Sequence, residues 1–301
     1  MNEFALIDEI VAALGSLERW PQIVLGPGDD AAQVAVPAGC DAVGSIDSFV
    51  ADVHFPVAAE PSLIGYRCMM ASASDLAAMG ATPGYALVAL SMPTDLPARS
   101  VVALAQGLAD ASDAVGLPVV GGNIARGPWQ VTVSVHGWVV RDQALTRAGA
   151  KVGDEVYVTG SLGGAAAALA RGGLEACRAD DLDALAARYF LPLARIEAGQ
   201  ALLGAAAAAI DVSDGLLADL QHLCEASQVG VELAKDLIPV HPGATLDQAL
   251  TGGDDYELCF TSAAAPPSLP CEVTRIGKVV SEAGIRLDGD AVEPTGFLHF
   301  S

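Results

Sequence analysis

Positive charge is scarce in this chain of 301 residues: 15 Lys and Arg residues stand against 37 Asp and Glu residues, and the formal net charge is −22. This balance argues against a nucleic-acid partner or an anionic membrane surface, because both attract basic patches. With Lys151, Lys235 and Lys278 as its lysines, the chain would have to neutralise a bound polyphosphate mostly with metal ions. An acidic surface that serves solubility or salt adaptation is the alternative explanation.

Long apolar runs are also missing, although 52% of the residues are hydrophobic. The longest run, residues 201–210, is mostly alanine and is about half of the ~20 residues that a bilayer requires. The N-terminus lacks the basic and apolar regions of a signal peptide, and the six cysteines form no Cys-x-x-Cys pair. We therefore expect no membrane association and a cytoplasmic protein with reduced thiols.

Apolar periodicity, interrupted by glycine and proline, predicts both helices and strands along the chain. Predicted helices cover residues 4–16, 61–80, 97–115, 165–170, 181–190, 195–207 and a segment that begins near 215. Predicted strands cover residues 42–47, 84–92, 117–120, 129–140, 155–159, a segment ending at 211, 231–233, 255–261, 272–280 and 284–287. Polar and glycine residues accumulate at 141–153, which indicates a domain boundary there.

The sequence Gly-Pro-Gly-Asp-Asp at residues 26–30 is the first motif with chemical content. Its glycines and proline predict a tight turn, in which two adjacent carboxylates concentrate negative charge. Carboxylates repel each other unless a cation lies between them, so the motif indicates a site for a hard divalent ion, Mg²⁺ or Ca²⁺. A solvated acidic turn is the alternative for so short a motif.

Oxygen-bearing side chains recur at distant points of the chain. Asp47 ends a predicted strand, and Asp75 lies among small residues of an apolar helix, where burial without a partner would be costly. His54 follows Asp47 by seven residues, so a structural role and a functional role are equally expected. Glycine turns carry Asn123 and, in the sequence Gly-Gly-Asp-Asp-Tyr-Glu-Leu, residues 252–258.

Asp211 and Asp214 lie between a predicted strand and a predicted helix, with Ser213 between them. Ser213 or Asp214 can cap that helix, but capping does not need both aspartates. Arg147 belongs to the one local cluster of cations in the middle of the chain, which indicates a phosphate contact. The glycine turn at 160–164 precedes a helix whose N-terminus can bind an anion, although no P-loop sequence is present.

Six colinear stretches together resemble the thiamine-monophosphate kinase family, whose superfamily includes aminoimidazole-ribonucleotide synthetase and selenophosphate synthetase. They are residues 26–32, 46–55, 73–83, 145–154, 210–216 and 252–258. Six motifs in the family's order are far more specific than any one of them. His54 and the stretch 252–258 favour this family over its relatives.

The resemblance implies an α/β (α+β) fold with two domains. Residues 1–141 would form an N-terminal domain that binds ATP and metal, with a mixed sheet and helices that build a dimer barrel. Residues 142–301 would form a C-terminal α/β domain that completes the active site. The implied activity is transfer of the ATP γ-phosphoryl group to thiamine monophosphate, with several Mg²⁺ ions, in a homodimer.

The resemblance also assigns site residues by position. The implied metal ligands are Asp30, Ser45, Ile46, Asp47, Asp75, Asn123, Asp211 and Asp214. The implied ATP contacts are Gly122, Asn123, Arg147 and Ser213, and the implied contacts to thiamine monophosphate are His54, Asp254 and Phe297.

The chain departs from the family pattern at three places. Asn123 stands where the family has aspartate, so one metal is expected to bind more weakly, and Ile46 could serve only through its carbonyl. The family's tyrosine near the nucleotide has no counterpart around residues 114–115, which puts adenine stacking there in doubt.

The expected chemistry needs no catalytic side chain. The acceptor is itself a phosphate, largely dianionic near neutral pH because its second pKa is ~6, so no general base is required. We expect direct transfer in which Mg²⁺ neutralises two polyanions. A sister activity that makes an acyl- or selenyl-phosphate from ATP is one alternative, and a non-catalytic acidic metal-binding protein is another.

Overall fold

A four-stranded and a seven-stranded β-sheet organise two separate units of the chain. The computed structural model describes residues 3–297. The N-terminal unit comprises the residues up to Leu76, Thr82–Arg141 and Gly173–Asp183; the C-terminal unit comprises Ala77–Ala81, Asp142–Gly172 and the residues from Ala184 onward. Among residues 3–297, no helix has both the length and the apolar character needed to cross a bilayer.

The N-terminal unit contains three long helices and six strands. The helices are α1 (Glu3–Leu14), α2 (Pro61–Ala78) and α3 (Ala98–Val115). The strands are β1 (Ile23–Leu25), β2 (Gln33–Val34), β3 (Cys40–Val50), β4 (Thr82–Met92), β5 (Val119–Arg126) and β6 (Gln130–Val140).

Glycines let α2 and α3 of this unit touch backbone to backbone. A Cβ atom added to Gly65 would lie 2.1 Å from the Leu104 carbonyl oxygen, and one added to Gly107 would lie 1.8 Å from that of Ser62. Both positions therefore require glycine. The four-stranded sheet has the order β3-β6-β4-β5, antiparallel except for the parallel pair β4 and β5.

Two predicted features of this sheet are wrong. The predicted short buried strand at 42–47 is part of the longer β3, so Asp47 lies inside the strand and not at its end. Residues 121–123 were predicted to form a turn, but they continue β5. A Cβ on Gly122 would lie 1.9 Å from the Val88 carbonyl oxygen, so glycine here permits close strand approach and not a reversal of the chain.

The C-terminal unit alternates strands and shorter helices. Its strands are β7 (Glu155–Thr159), β8 (Ala208–Asp211), β9 (Gly230–Leu233), β10 (Leu258–Ser262), β11 (Val273–Val280), β12 (Gly284–Leu287) and β13 (Asp290–Val292). Its helices are α4 (Gly164–Arg171), α5 (Ala184–Phe190), α6 (Ile196–Ala201), α7 (Leu216–Ser227) and α8 (Leu246–Thr251). The predicted helix at 195–207 is thus shorter than expected, and α8 was not predicted.

The seven strands have the order β13-β12-β9-β11-β7-β10-β8, with β9 and β12 parallel and the other pairs antiparallel. Val156, Val158, Ile210 and Leu220 belong to the buried apolar cluster that joins this sheet to α7. The sheet thereby fixes β8 and the loop that follows it. Asp211 is the last residue of β8, and the loop carries Ser213 and Asp214.

Candidate active site

An acidic pair with hydroxyl partners forms in the N-terminal unit. Strand alternation places Ser45 and Asp47 on the same face of β3. The Ser45 hydroxyl donates a 2.5 Å hydrogen bond to Oδ2 of Asp75, which lies in α2. Burial, followed by the charge of Asp75, raises the pKa of Asp47 to about 6, although a hydrogen bond from Ser72 opposes the rise.

This donor set suits a hard divalent cation. Burial and mutual repulsion disfavour the charge on Asp47, and a bound Mg²⁺ would relieve both effects. Among residues 3–297, no three acidic, histidine or cysteine side chains form a complete metal site. Further ligands to Mg²⁺ would have to be hydroxyl, backbone, water or phosphate oxygens, which is a common way of holding this ion.

Ile46 points away from this pair. Its side chain is 65% exposed on the opposite face of β3, which leaves only its backbone to serve the predicted metal role. Asp30 is also exposed, on the turn before β2, where its backbone N–H donates to Oδ1 of Asp29 at 2.8 Å.

Strand register separates Asn123 from Asp47. One row across the sheet joins Asp47 to Val133, then to Val88 and Gly122. Asn123 is the next residue, so its side chain points to the opposite face. Three strand spacings correspond to about 14 Å. In a single chain, the side chains of Asp47 and Asn123 therefore cannot share one ion.

His54 lies just beyond β3 and is oriented by it. Its Nδ1 accepts a 3.0 Å hydrogen bond from the Val50 backbone N–H, and its ring meets Phe49 edge-on. A neutral ring that accepts at Nδ1 carries its proton on Nε2. The preceding turn depends on Asp52, which has φ 61° and accepts a hydrogen bond from the Val57 N–H.

In the C-terminal unit, the predicted cap of α7 is wrong. The N-cap residue is Gly215, which makes no side-chain capping hydrogen bond. Instead, Oδ2 of Asp219 accepts the backbone N–H groups of Ser213, Asp214 and Gly215 at 2.9, 3.0 and 3.1 Å. Sequence reasoning missed Asp219. An acid in the first turn of a predicted helix was the available signal.

Asp219 holds this loop although burial disfavours the charge on its carboxylate. Burial raises its pKa to about 6, and its hydrogen bond to the Asp214 N–H works in the opposite direction. Asp211, at the end of β8, is likewise only 5% exposed. The loop that carries the predicted nucleotide and metal residues is therefore fixed from inside the unit.

Four predicted residues, from two motifs and the C-terminal segment, meet at this loop. The Asp254 N–H donates to the Ser213 carbonyl at 2.8 Å, and the Phe297 N–H donates to the Asp214 carbonyl at 3.0 Å. A Cβ on Gly253 would lie 2.4 Å from the Ser213 oxygen. The structure thus brings predicted nucleotide, metal and acceptor residues together.

Arg147 lies at the other end of α7. The Ser227 hydroxyl, at the last residue of that helix, donates to the Arg147 carbonyl at 2.8 Å. The 12 residues of α7 span about 18 Å. The Arg147 backbone and Ser213 therefore lie near opposite ends of this helix.

The N-terminus of α4 is occupied by a carboxylate of the chain itself. Oδ2 of Asp255 accepts the Gly163 N–H at 2.7 Å, so the predicted anion position holds Asp255. Burial raises the pKa of Asp255 to about 7, against the lowering effects of this hydrogen bond and of Arg188.

Glu257 lies in a buried network that sequence reasoning missed. Its carboxylate, 1% exposed, accepts Nε and Nη2 of Arg195 at 2.6 and 2.7 Å and the Thr159 hydroxyl at 2.7 Å. Arg188 adds a contact at 3.3 Å. Buried glutamate requires such pairing. The position of Glu257 in the motif at 252–258 was visible, but its arginine partners were not.

Comparison with known proteins places these residues in a family context. The AIR synthase related protein family matches with its N-terminal domain at residues 28–139 and with its C-terminal domain at 151–290. Thiamine-monophosphate kinase of Escherichia coli (strain K12) is 40% identical over 270 residues, 86% of this chain and 82% of that protein. The thiamine-monophosphate kinase of Aquifex aeolicus is 32% identical over 311 residues, which are 100% of this chain and 98% of that protein.

Solved structures extend the similarity to three dimensions. The crystal structure of thiamine-monophosphate kinase from Stenotrophomonas maltophilia K279a superposes with a TM-score of 0.86 at 38% identity, over 97% of this chain and 98% of that one. AaThiL complexed with AMPPCP and TMP superposes with a TM-score of 0.82 at 31% identity, over 99% of this chain and 97% of that one. Escherichia coli HypE, at 19% identity and a TM-score of 0.77, shares the fold.

Proposed function

The chain belongs to the thiamine-monophosphate kinase family, and from this membership we propose that it transfers the γ-phosphoryl group of ATP to thiamine monophosphate, forming thiamine diphosphate. Its relative AaThiL binds AMPPCP and TMP, which correspond to an ATP analogue and this acceptor. The products are thiamine diphosphate and ADP.

The observation that carries the proposal is the hydrogen-bonded junction of loops in the C-terminal unit. Ser213 and Asp214 there accept the backbone N–H groups of Asp254 and Phe297. The residues implied to bind nucleotide and metal thus touch those implied to bind the acceptor. A phosphoryl transfer requires this adjacency, because donor and acceptor must be held in line within contact distance.

Several Mg²⁺ ions would neutralise charge between the triphosphate of ATP and the phosphate group of the acceptor. We propose that Asp47 and Asp75, with the Ser45 hydroxyl, hold metal in the N-terminal unit. Asp211 and Asp214 would do so in the C-terminal unit, and the remaining predicted ligands are Asp30, Asn123 and the carbonyl of Ile46. Gly122, Asn123, Arg147 and Ser213 would bind ATP, and His54, Asp254 and Phe297 the acceptor. No side chain needs to remove a proton, because the acceptor phosphate is already ionised.

We also propose that two copies associate through the outer face of the four-stranded sheet. Ile46 and Leu87 lie on that face and are 65% and 37% exposed, and burying such residues favours association. The dimer would form the predicted barrel from two open sheets. Sedimentation equilibrium of the wild type and of Ile46→Glu tests this. We expect the wild type to be a dimer and the variant to be a monomer.

The division into domains at residues 141 and 142 remains part of the proposal, as does the cytoplasmic location. The division is supported by the two units, which part between Arg141 and Asp142, although short segments cross over. The location is supported by the cysteines, because none of the six, all within residues 3–297, forms a disulfide bond.

One assay tests the proposed function. Purified protein is incubated with ATP, Mg²⁺ and thiamine monophosphate, and thiamine diphosphate is measured together with ADP. We expect equal amounts of both products and none when EDTA replaces Mg²⁺. Parallel incubations with selenide and with carboxylate acceptors test the sister activities. The assignment would be overturned if these incubations released ADP while the incubation with thiamine monophosphate formed no thiamine diphosphate. Recovery of phosphorylated protein from ATP alone would rule out direct transfer.

A further inference from the structure

We propose that Tyr256 is a positioning residue, whose hydroxyl orients the Asp254 carboxylate toward thiamine monophosphate. This inference rests on the proposed function, in which Asp254 contacts that acceptor. The Tyr256 hydroxyl donates a 2.9 Å hydrogen bond to Oδ1 of Asp254. The tyrosine is only 7% exposed, so its ring has little freedom to turn away.

The backbone of this segment is held in an unusual conformation. Asp254 and Tyr256 have φ values of 70° and 52°, in the left-handed region that bulky residues such as tyrosine rarely adopt. Each is tied to the loop after β8: the Asp254 N–H donates to the Ser213 carbonyl, and the Tyr256 N–H donates to the Val212 carbonyl, both at 2.8 Å. Such strain persists only where surrounding contacts over-determine the conformation, and it concentrates at functional sites.

Two buried carboxylates anchor the residues on either side of Tyr256. Asp255 accepts the Gly163 N–H at 2.7 Å. Glu257 accepts Arg195 through two nitrogens at 2.6 and 2.7 Å. These anchors do not involve the tyrosine hydroxyl. Removing the hydroxyl should therefore leave the segment in place and release the orientation of the Asp254 side chain.

Tyr256→Phe separates the orienting role from a structural one. We expect the KM for thiamine monophosphate to rise about two- to tenfold, the usual effect of one lost hydrogen bond. The KM for ATP and kcat should stay within about twofold, and the thermal unfolding midpoint should fall by no more than about 5 °C, the effect of one lost hydrogen bond. Tyr157→Phe is the matched control, because Tyr157 in β7 of the same unit stacks its ring on Phe260 at 5.3 Å and is outside the proposed site.

A double-mutant cycle with Asp254→Ala identifies the route of the effect. If Tyr256 acts through Asp254, the phenylalanine substitution should not raise the KM for thiamine monophosphate further in the Asp254→Ala background. An additive rise, a Tyr256→Phe KM equal to that of Tyr157→Phe, or a parallel rise in the KM for ATP would each overturn the positioning role. A wild-type protein that forms no thiamine diphosphate would overturn the proposed function and, with it, this inference.

Discussion

Asp75 receives a 2.5 Å hydrogen bond from Ser45 and, from α2, contributes to raising the pKa of Asp47 to about 6. The two acids come from motifs 28 residues apart in the chain. Burial and the charge of Asp75 raise this pKa, and the effect that opposes the rise is a hydrogen bond from Ser72, which brings no positive charge. A divalent cation is the simplest counter-charge, and the first prediction follows from it.

Asp75→Asn should lower kcat at least about 100-fold while the protein remains folded. The amide keeps the size of the side chain and an acceptor for Ser45, but it removes the charge that a cation needs. The rate of thiamine diphosphate formation measures kcat, and a thermal unfolding curve shows whether the variant is folded. Asp95→Asn, an exposed acid in the same unit, should behave like the wild type. An Asp75→Asn enzyme with wild-type kcat would remove this residue from the metal ligands.

Asn123→Asp should lower the Mg²⁺ concentration that gives half-maximal activity. The substitution restores the charge expected in the family and adds a harder ligand on the exposed face of β5. Titration of activity with Mg²⁺ at saturating ATP is the measurement. Thr94→Asp adds the same charge to an exposed loop of the unit, so it shows how much of the change comes from net charge. Equal shifts in both variants would contradict a ligand role for residue 123.

The stabilising effect of a protonated Asp255 should be lost as pH rises from about 4 to about 7. In the unfolded chain this carboxyl group has its ordinary pKa of 3.8, whereas burial in the folded protein raises the pKa to about 7. Between these values the folded state binds the extra proton, so the free energy of unfolding falls with rising pH, by up to about 1.4 kcal/mol per pH unit.

Asp255→Asn removes this dependence, and urea denaturation at several pH values measures it. The free energy of unfolding of the wild type minus that of the variant should decline from pH 4 to pH 7 and become level above. Asp290→Asn, at an exposed edge position, controls for the loss of a charge. Parallel curves for wild type and Asp255→Asn would show that the Asp255 pKa is not raised in the folded protein.

Arg195→Lys should lower the free energy of unfolding by about 1–3 kcal/mol. Lysine cannot reproduce the two-nitrogen contact with Glu257, and the carboxylate is 1% exposed and cannot turn to water. Arg275→Lys is the matched control, because Arg275 pairs with Glu155 at 2.8 Å on the surface, where such pairs contribute at most about 1 kcal/mol. Chemical denaturation of both variants compares them. A larger loss for Arg275→Lys would contradict the structural importance assigned to the buried pair.

Local patterns predicted most elements closely. The predicted strand at 155–159 is β7, and the predicted helix at 97–115 is α3, which begins one residue later. The α/β fold with two family domains and the kinase family were also confirmed. The element predictions succeeded because apolar periodicity and turn residues act over a few positions of the chain. The family and its two domains were predicted from the resemblance of six colinear motifs.

Predictions failed where a residue's role depends on a distant partner. The glycines at 121 and 122 were predicted to form a turn, yet they lie in β5, because the β4 backbone leaves no room for a side chain at Gly122. Ser213 or Asp214 was predicted as the cap of α7, but the N-cap residue is Gly215, and Asp219 accepts the N–H groups of both predicted residues. In each case tertiary contacts outweighed a local preference.

The amino-acid sequence by itself determined which chemistry is available: many carboxylates, few cations, glycine turns, and six motifs in the order of one kinase family. Only the tertiary structure decided which of these groups meet. It joined Ser213 and Asp214 to Asp254 and Phe297, and it placed Asn123 on the face opposite Asp47. The reason is physical: residue type sets what a side chain can bind, whereas strand register and long-range hydrogen bonds set what lies within its reach.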